Sequence, residues 1–279
     1  MSEPRMIERV CFVAPSTGLC ESDRKALRRT IRAIMKNMPQ IKDVHFGDSL
    51  FTYDQKIQHT SGPTNGRYAD FQKAIKEFDL VISVAGGTGA EDLVLKLKKK
   101  DFKMIAERQP VFMGFSDFTF LLNELYYFSE VPVIYFTSLT LGKGNFKKIF
   151  SLISGKEIDY KGSFWLTAPP ARQFSGIPIG GNLSTFVNFL NRSDPPKYNW
   201  SKYVLFIEEF QVDREDLHRF FAALNRHKIF DKLKCLVVGS LTTYAKNPEY
   251  KARQKKALEF LKDYLADILR KRVDAGNPL

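Results

Sequence analysis

The sequence predicts an α/β protein with an N-terminal parallel-sheet domain and a smaller C-terminal α/β domain. Short apolar runs alternate along the chain with segments of helical periodicity, which is the pattern of parallel strands joined by crossover helices. Several apolar runs end in glycine-rich turns, and parallel sheets bind ligands at the carboxyl ends of their strands. The chain has 279 residues, of which 44% are hydrophobic, so it is long enough to bury the core of such a fold.

The elements of the N-terminal half follow one another in the order that this fold requires. Strands are predicted at residues 10–14, 44–46, 79–85, 110–114 and 131–136, and helices at 22–37, 67–77, 90–99 and 117–128. A polar segment with glycine and proline at 60–65 is a candidate loop over a site. The alternation therefore predicts a parallel sheet with helices on both faces.

Glycines and prolines interrupt the pattern between about residues 140 and 175. We place the crossing between the domains at 141–175, the N-terminal domain at 1–140 and the C-terminal domain at 176–279. In the C-terminal domain a Gly-Gly loop is predicted at 180–181, strands at 203–208 and 235–239, and helices at 183–190, 214–226 and 248–271.

Composition excludes several classes of protein. No apolar run reaches the ~20 residues of a membrane span, and the N-terminus lacks a signal-peptide core, so we expect a cytoplasmic protein without membrane contacts.

Cys11, Cys20 and Cys235 lack paired spacing and indicate neither a disulfide framework nor a metal site. The net charge of +12 suits nucleic acid, acidic lipid and carboxylate-bearing peptides alike. We interpret the basic helical runs as solvated faces, because no nucleic-acid-binding module is recognisable.

A candidate nucleophile follows the strand at 110–114. The strand breaks at Gly114 and places Ser116 immediately before a helix. A serine on such a tight turn is exposed to substrate, and the next backbone amide, that of Asp117, is free to bind an oxyanion. Serine is also a common helix cap, so the segment alone leaves two interpretations open.

The glycine run from Gly86 to Gly89 is the second candidate. The dinucleotide-binding spacing would place a glycine where Asp92 stands, and no G-K-[ST] follows, so we expect no nucleotide cofactor. Gly86 and Gly87 would instead let a backbone N–H approach a tetrahedral intermediate, because they carry no Cβ.

Two carboxylates end the strand at 203–208. Glu208 and Glu209 either terminate the strand in solvent, or Glu208 faces the crevice at the sheet end and orients a catalytic histidine. Side chains alternate along a strand, so the two should point in opposite directions, and we expect Glu209 to be the more exposed.

Six segments in sequence order resemble the LD-carboxypeptidase pattern VAPS, GR, RGGYG, GYSD, GGNLS and LFLED. The matching segments are Val13-Ala14-Pro15-Ser16, Gly66-Arg67, Gly86-Gly87-Thr88-Gly89, Gly114-Phe115-Ser116-Asp117, Gly180-Gly181-Asn182-Leu183-Ser184 and Leu205-Phe206-Ile207-Glu208-Glu209. The resemblance extends from about residue 10 to residue 243. These serine peptidases also include the microcin-immunity peptidases.

The resemblance implies a serine peptidase with a Ser-Glu-His triad. Carried over by motif, Ser116 is the nucleophile and Glu208 is the carboxylate that orients the base. The amide of Asp117 and one amide of Gly86 or Gly87 form the oxyanion hole. No metal or organic cofactor is implied.

The resemblance also implies the substrate and the assembly. Family members cut the amide bond between an L-centre and a D-amino acid, releasing D-alanine from a cytosolic muropeptide tetrapeptide during peptidoglycan recycling, or they detoxify a peptide-nucleotide antibiotic. Asn182 and Ser184 are the candidate substrate-binding residues. The expected partners are this small peptide and a second copy of the chain in a homodimer, with no nucleic acid.

The chain departs from the family pattern at three places. The family's histidine lies in a G-x-P-F-G-H segment, whereas this chain ends at 277–279, about where that segment begins, so we expect a sequence truncated before it or a protein without the usual base. Ala85 replaces the arginine before the double glycine, and 137–139 replaces a His-Gly-Pro. His218 and His227 are expected to be surface or packing residues, and His45 does not align with the base. His59 remains a candidate.

These departures leave two rivals to the peptidase. The first is a pseudo-peptidase that binds muropeptide-like ligands without turning them over, which the missing histidine and Ala85 favour. The second is a basic nucleic-acid-binding protein, which the net charge alone supports.

Overall fold

The computed structural model describes residues 6–52, 60–136, 146–154, 156, 175–242 and 248–274. The chain divides into two compact units, residues 1–160 and 161–279. Each contains a parallel sheet with helices, as the α/β alternation predicts. The domain boundaries placed at 140/141 and 175/176 stay a prediction, because 137–145 and 157–174 lie outside the described residues.

The first unit is built on a five-stranded sheet in which all neighbouring strands are parallel. Its strands are β1 (Arg9–Val13), β2 (Asp43–Phe46), β3 (Leu80–Ser83), β4 (Val111–Gly114) and β5 (Val133–Tyr135). Its helices are α1 (Arg24–Asn37), α2 (Thr64–Glu77), α3 (Ala90–Val94), α4 (Lys99–Arg108), α5 (Phe118–Ser129) and α6 (Phe146–Ile153). The spatial order β2-β1-β3-β4-β5 reverses direction between β1 and β3. In open parallel sheets, ligands bind at the carboxyl ends of the strands where the order reverses.

Helices cover both faces of this sheet. Phe12 and Ile82 point into a core that α1 and α6 complete, while Cys11 and Val81 point into a second core against α2, α4 and α5. Adjacent residues of one strand thus lie in different cores, which explains why these strands are apolar throughout rather than alternating.

Three helices of the described residues were missing from the sequence-based prediction: α4, α6 and a short helix of the second unit, Ile229–Lys232. The expected helix at 90–99 ends at Val94, and α4 begins at Lys99. The carboxylate of Asp101 accepts a hydrogen bond from the Lys98 amide at 2.9 Å and so starts α4 separately. The lysine-rich stretch that suggested one continuous helix therefore contains a boundary.

The second unit contains a three-stranded parallel sheet in the order β6-β7-β8. Its strands are β6 (Ile177–Asn182), β7 (Tyr203–Phe210) and β8 (Cys235–Thr242), and its helices are α7 (Leu183–Leu190), α8 (Arg214–Arg226), α9 (Ile229–Lys232) and α10 (Pro248–Asp274). The predicted Gly-Gly loop is wrong, because Gly180 and Gly181 belong to β6. Gly180 has a φ of 115° and lies against the Phe206 carbonyl, where a Cβ would overlap the backbone of β7.

No helix within the described ranges is long and apolar enough to span a membrane. Within the same ranges, no cluster of three histidine, cysteine or acidic side chains has a metal-binding arrangement.

Candidate active site

Ser116 lies on the tight turn between β4 and α5, as the sequence predicts. Its φ of 55° lies in the left-handed region, where a residue with a Cβ is uncommon and strained. Gly114 makes the turn possible, because a Cβ at this position would overlap the ring of Phe118. The N-cap of α5 is Asp117, and no side chain caps the helix there, so the helix-cap interpretation of Ser116 is not supported.

The backbone of the turn is held on both sides of Ser116. The Ser116 amide donates a hydrogen bond to Tyr135 Oη at 2.8 Å, and the Ser116 carbonyl accepts one from the Thr119 amide at 2.8 Å. The Ser116 amide is thus already engaged. The amide of Asp117, next along the chain, remains the candidate oxyanion donor on this turn.

The glycine loop after β3 touches the Ser116 side chain. A Cβ built on Gly86 would lie 2.6 Å from Ser116 Cβ and 2.8 Å from its Oγ, so only glycine fits there. Gly87 has a φ of 112° and packs against Thr17, whose amide donates to the Gly86 carbonyl at 3.1 Å. The structure therefore brings Ser116, Gly86 and the loop after β1 together at the carboxyl ends of β1, β3 and β4.

Arg67 joins the loops that surround this site. Only 2% of its surface is exposed, and its guanidinium donates to the carbonyls of Pro15 and Gly89, the latter at 2.6 Å. It also donates to Thr64 Oγ1 at 3.1 Å and forms an ion pair with Asp92 at 3.5 Å. Arg67 thus links the loops after β1 and β3 to the first turn of α2.

Arg67 stands in one of the family motifs, but the sequence predicted no role for it. A usable signal was present, because Arg67, Phe71 and Ala74 are spaced i, i+4 and i+7 and so share one face of α2. That face is buried. An arginine on it must find its partners inside the protein.

The carboxylate of Asp117 connects the turn at Ser116 to the glycine loop. Its Oδ2 accepts a hydrogen bond from the Ala90 amide, the first of α3, at 2.9 Å. Burial has the largest effect on the pKa of Asp117, and the pKa lies above its ordinary value. The adjacent Ser16 hydroxyl, the Ala90 amide and Arg67 offset part of this rise. Ser16 is fully buried, and its hydroxyl lies beside this carboxyl.

In the second unit, Glu208 and Glu209 lie near the end of β7. Burial alternates along this strand, so the two side chains leave it on opposite sides, as predicted. The expectation that Glu209 is the more exposed is wrong: only 6% of it is exposed, whereas Glu208 is half-buried. Glu209 shares the covered face with Leu205 and Ile207, and backbone amides replace the water that it loses.

Asn182 is the N-cap of α7 and lies beside both carboxylates. Its Oδ1 accepts hydrogen bonds from Ser184 Oγ and Thr185 Oγ1, each at 2.9 Å. Its Nδ2 donates to Glu209 Oε1 at 2.8 Å and to Glu208 Oε1 at 3.3 Å. The structure thus brings Asn182, Ser184 and Glu208 together within this unit, while their roles towards a substrate stay predictions.

The histidines of the second unit make packing contacts. His218 packs against Phe260, with ring centroids 5.8 Å apart, and His227 Nε2 lies 3.0 Å from Asn191 Oδ1. Burial lowers the pKa of His227. The prediction that these two are surface or packing residues is confirmed. His59 and segment 137–139 lie outside the described residues, so their roles stay predictions.

Two family models cover most of the chain. Residues 10–135 match the model of the LD-carboxypeptidase N-terminal domain, and residues 175–273 match that of the LD-carboxypeptidase C-terminal domain. A Treponema pallidum (strain Nichols) protein provisionally named a carboxypeptidase is 26% identical over 268 aligned positions, which cover 84% of this chain and 75% of that protein.

Solved structures share the fold at low sequence identity. The microcin-immunity protein MccF, solved with glutamyl sulfamoyl guanosine, has a TM-score of 0.70 at 17% identity, over 93% of this chain and 86% of MccF. An MccF-like protein from Bacillus anthracis str. Ames has a TM-score of 0.67 at 19% identity, over 94% of this chain and 85% of its own. A muramoyltetrapeptide carboxypeptidase from Oxalobacter formigenes has a TM-score of 0.65 at 18% identity, over 91% of this chain and 84% of its own.

Proposed function

Because the chain belongs to the LD-carboxypeptidase family of peptidases, we propose that it is a serine-type enzyme that releases a terminal D-amino acid from a muropeptide. The observation that carries this proposal is the strained turn at Ser116. The serine is held in the left-handed region, directly before a twelve-residue helix, with Gly86 against its side chain. Strain of this kind persists where the surrounding structure enforces it, and it is common at catalytic groups.

In the proposed reaction, Ser116 Oγ attacks the scissile carbonyl carbon and gives its proton to a base that Glu208 orients. The carbonyl oxygen becomes an oxyanion, which accepts hydrogen bonds from the amides of Asp117 and Gly87 or Gly86. The base returns the proton to the departing D-amino acid as the C–N bond breaks. Water then hydrolyses the acyl-enzyme by the same route.

The contacts of the first unit support this role for the amides. An oxyanion hole works when its donors are fixed before the charge develops. Tyr135 holds the turn at Ser116, the Asp117 carboxylate holds that turn to α3, and Arg67 holds the loop that carries Gly89. The candidate donors therefore belong to loops that are tied to one another.

The substrate class follows from the family and from the charge. A muropeptide tetrapeptide carries carboxylates, and a protein of net charge +12 attracts anionic ligands. The structural likeness to a muramoyltetrapeptide carboxypeptidase supports the same class. We place the reaction in cytoplasmic peptidoglycan recycling, with the enzyme acting as a homodimer and with Asn182 and Ser184 contributing to substrate binding. Because the fold resembles that of MccF, we include a peptide-nucleotide as the second substrate in the assay.

The experiment is a D-alanine release assay followed by mass spectrometry. The protein is given a muropeptide tetrapeptide ending in D-alanine, its L-alanine diastereomer, and a peptide-nucleotide. We expect release from the D-terminated peptide, and a loss of about 10³-fold or more in Ser116→Ala. Ser201→Ala is the matched control, because Ser201 is an exposed serine that bonds only Asn199 among the described residues.

Equal release from both diastereomers would contradict the LD specificity. Full activity of Ser116→Ala would contradict the serine mechanism. Binding of the D-terminated peptide without release would favour the pseudo-peptidase.

A further inference from the structure

Glu209 is a buried carboxylate of the second unit, next to Glu208 in the sequence. It lies on the covered face of β7, with 6% of its surface exposed. Moving a carboxylate out of water destabilises the folded protein unless hydrogen-bond donors replace the lost hydration. A position that carries this cost needs a compensating set of partners, and these partners indicate what Glu209 does.

Three N–H groups surround the Glu209 carboxylate. Oε1 accepts from Asn182 Nδ2 at 2.8 Å and from the Phe210 amide at 2.9 Å, and Oε2 accepts from the Ser184 amide at 2.8 Å. Ser184 is the second residue of α7, so its amide has no partner within the helix, and the helix dipole favours an anion there. Because every partner is a donor, the site suits a carboxylate, whereas a glutamine would direct its own N–H at a donor.

Asn182 transmits this arrangement to Glu208. Its Oδ1 is held by the hydroxyls of Ser184 and Thr185, and its Nδ2 is held by Glu209, so the amide plane is fixed from both ends. The same Nδ2 also donates to Glu208 Oε1 at 3.3 Å. The direction of the donor that meets Glu208 therefore depends on Glu209.

We propose that Glu209 is a positioning residue, which fixes the Glu208 carboxylate through the shared amide of Asn182. This inference rests on the proposed function, in which Glu208 orients the general base. Glu209 itself touches neither the substrate nor the reacting atoms in this scheme. Its removal should therefore impair the chemical step more than substrate binding.

The kinetic test uses Glu209→Gln and Glu209→Asp in the full chain. Misplacing a catalytic group by about 1 Å costs about 10²-fold in rate, so we expect kcat of Glu209→Gln to fall by 10- to 100-fold. KM should rise by a smaller factor, because Asn182 and Ser184 also donate to Glu209. Glu209→Asp keeps the charge and the acceptors, and should recover most of kcat. A kcat of Glu209→Gln within threefold of the wild type would overturn the proposal.

The matched control is Asp213→Ala. Asp213 is also a carboxylate that accepts from a helix amide, that of Asp216 at 2.8 Å, and it follows the same strand. No hydrogen bond joins it to Asn182 in the described part of the chain. Its loss should lower the melting temperature and leave kcat unchanged. If kcat in Asp213→Ala and Glu209→Gln falls in proportion to the melting temperature, Glu209 has a structural role only.

A second readout needs no turnover, and so separates this inference from the proposed function. Nuclear magnetic resonance follows the exchange of the Asn182 side-chain amide protons and the carboxyl carbon shift of Glu208. In Glu209→Gln we expect exchange at least tenfold faster and a displaced Glu208 signal, with neither change in Asp213→Ala. Absence of D-alanine release by the wild type would refute the proposed function alone, whereas unchanged Asn182 and Glu208 signals would refute the positioning role.

Discussion

Replacing Ser116 with glycine should make the protein inactive and more stable. The change removes the proposed nucleophilic hydroxyl, and it also removes a Cβ held at a φ of 55°. A residue with a Cβ in the left-handed region is about 1–2 kcal/mol less favourable than glycine. Glycine loses about 0.5–1 kcal/mol of this advantage, because it gains more entropy on unfolding. Ser116→Gly should therefore exceed Ser116→Ala in unfolding free energy by about 0.5–1 kcal/mol.

The comparison with alanine isolates the strain, because both variants lack the hydroxyl. For a unit of the size of residues 1–160, the difference corresponds to a rise in melting temperature of about 1–4 °C. Differential scanning calorimetry measures this rise, and D-alanine release measures activity. Both variants should lose about 10³-fold or more in kcat/KM.

Glu130 provides the control for the strain term. It is exposed at the end of α5, with a φ of 50°, in the same unit. The unfolding free energy of Glu130→Gly should exceed that of Glu130→Ala by as much as Ser116→Gly exceeds Ser116→Ala. Both Glu130 variants should keep full activity. If glycine stabilises position 130 and not position 116, the turn at Ser116 is not strained, and the observation that carries the proposed function fails.

Three further predictions concern the surroundings of Ser116. Gly86→Ala places a Cβ 2.6 Å from Ser116 Cβ and should lower kcat about 10²-fold. The control Gly66→Ala, inside α2, should keep its kcat, and steady-state kinetics measures both variants. Arg67→Met leaves two buried carbonyls without their donor and should lower the free energy of unfolding by about 2–4 kcal/mol. The control Arg28→Met, at an exposed position, should leave it almost unchanged, and chemical denaturation measures both. Burial raises the pKa of Asp117 above its unfolded value, so the stability it confers is fully present below the unfolded pKa and is lost as pH rises through the folded pKa. Asp117→Asn should flatten the curve of melting temperature against pH between the unfolded and the folded pKa of Asp117. An unchanged slope in this range would contradict the raised pKa.

The sequence contains enough information to predict the first unit and its turn at Ser116. A buried strand that breaks at Gly114 directly before a helix leaves the chain few conformations, so Ser116 could be placed from local pattern alone. The glycine run after β3 was also predictable from local pattern, because glycines without a Cβ allow neighbouring loops to approach closely. Such features depend on backbone sterics and not on distant packing.

The second unit shows where local pattern is insufficient. Strand periodicity establishes that Glu208 and Glu209 point in opposite directions, but which side is covered depends on where α7 and its free amides lie. The positive φ of Gly180 likewise reflects its close approach to β7 and not a loop. These outcomes are set by tertiary contacts, which periodicity does not encode.

The most direct test of the central claim is covalent trapping of the acyl-enzyme. The protein is mixed with a D-alanine-terminated muropeptide, quenched in acid within the first turnover, digested and analysed by mass spectrometry. The account predicts that the peptide containing Ser116 gains the mass of the substrate acyl group without its D-alanine, and that the gain is absent in Ser116→Ala. Release of D-alanine with the acyl group on another residue, or with no acylated peptide during turnover, would contradict the assignment of Ser116 as the nucleophile.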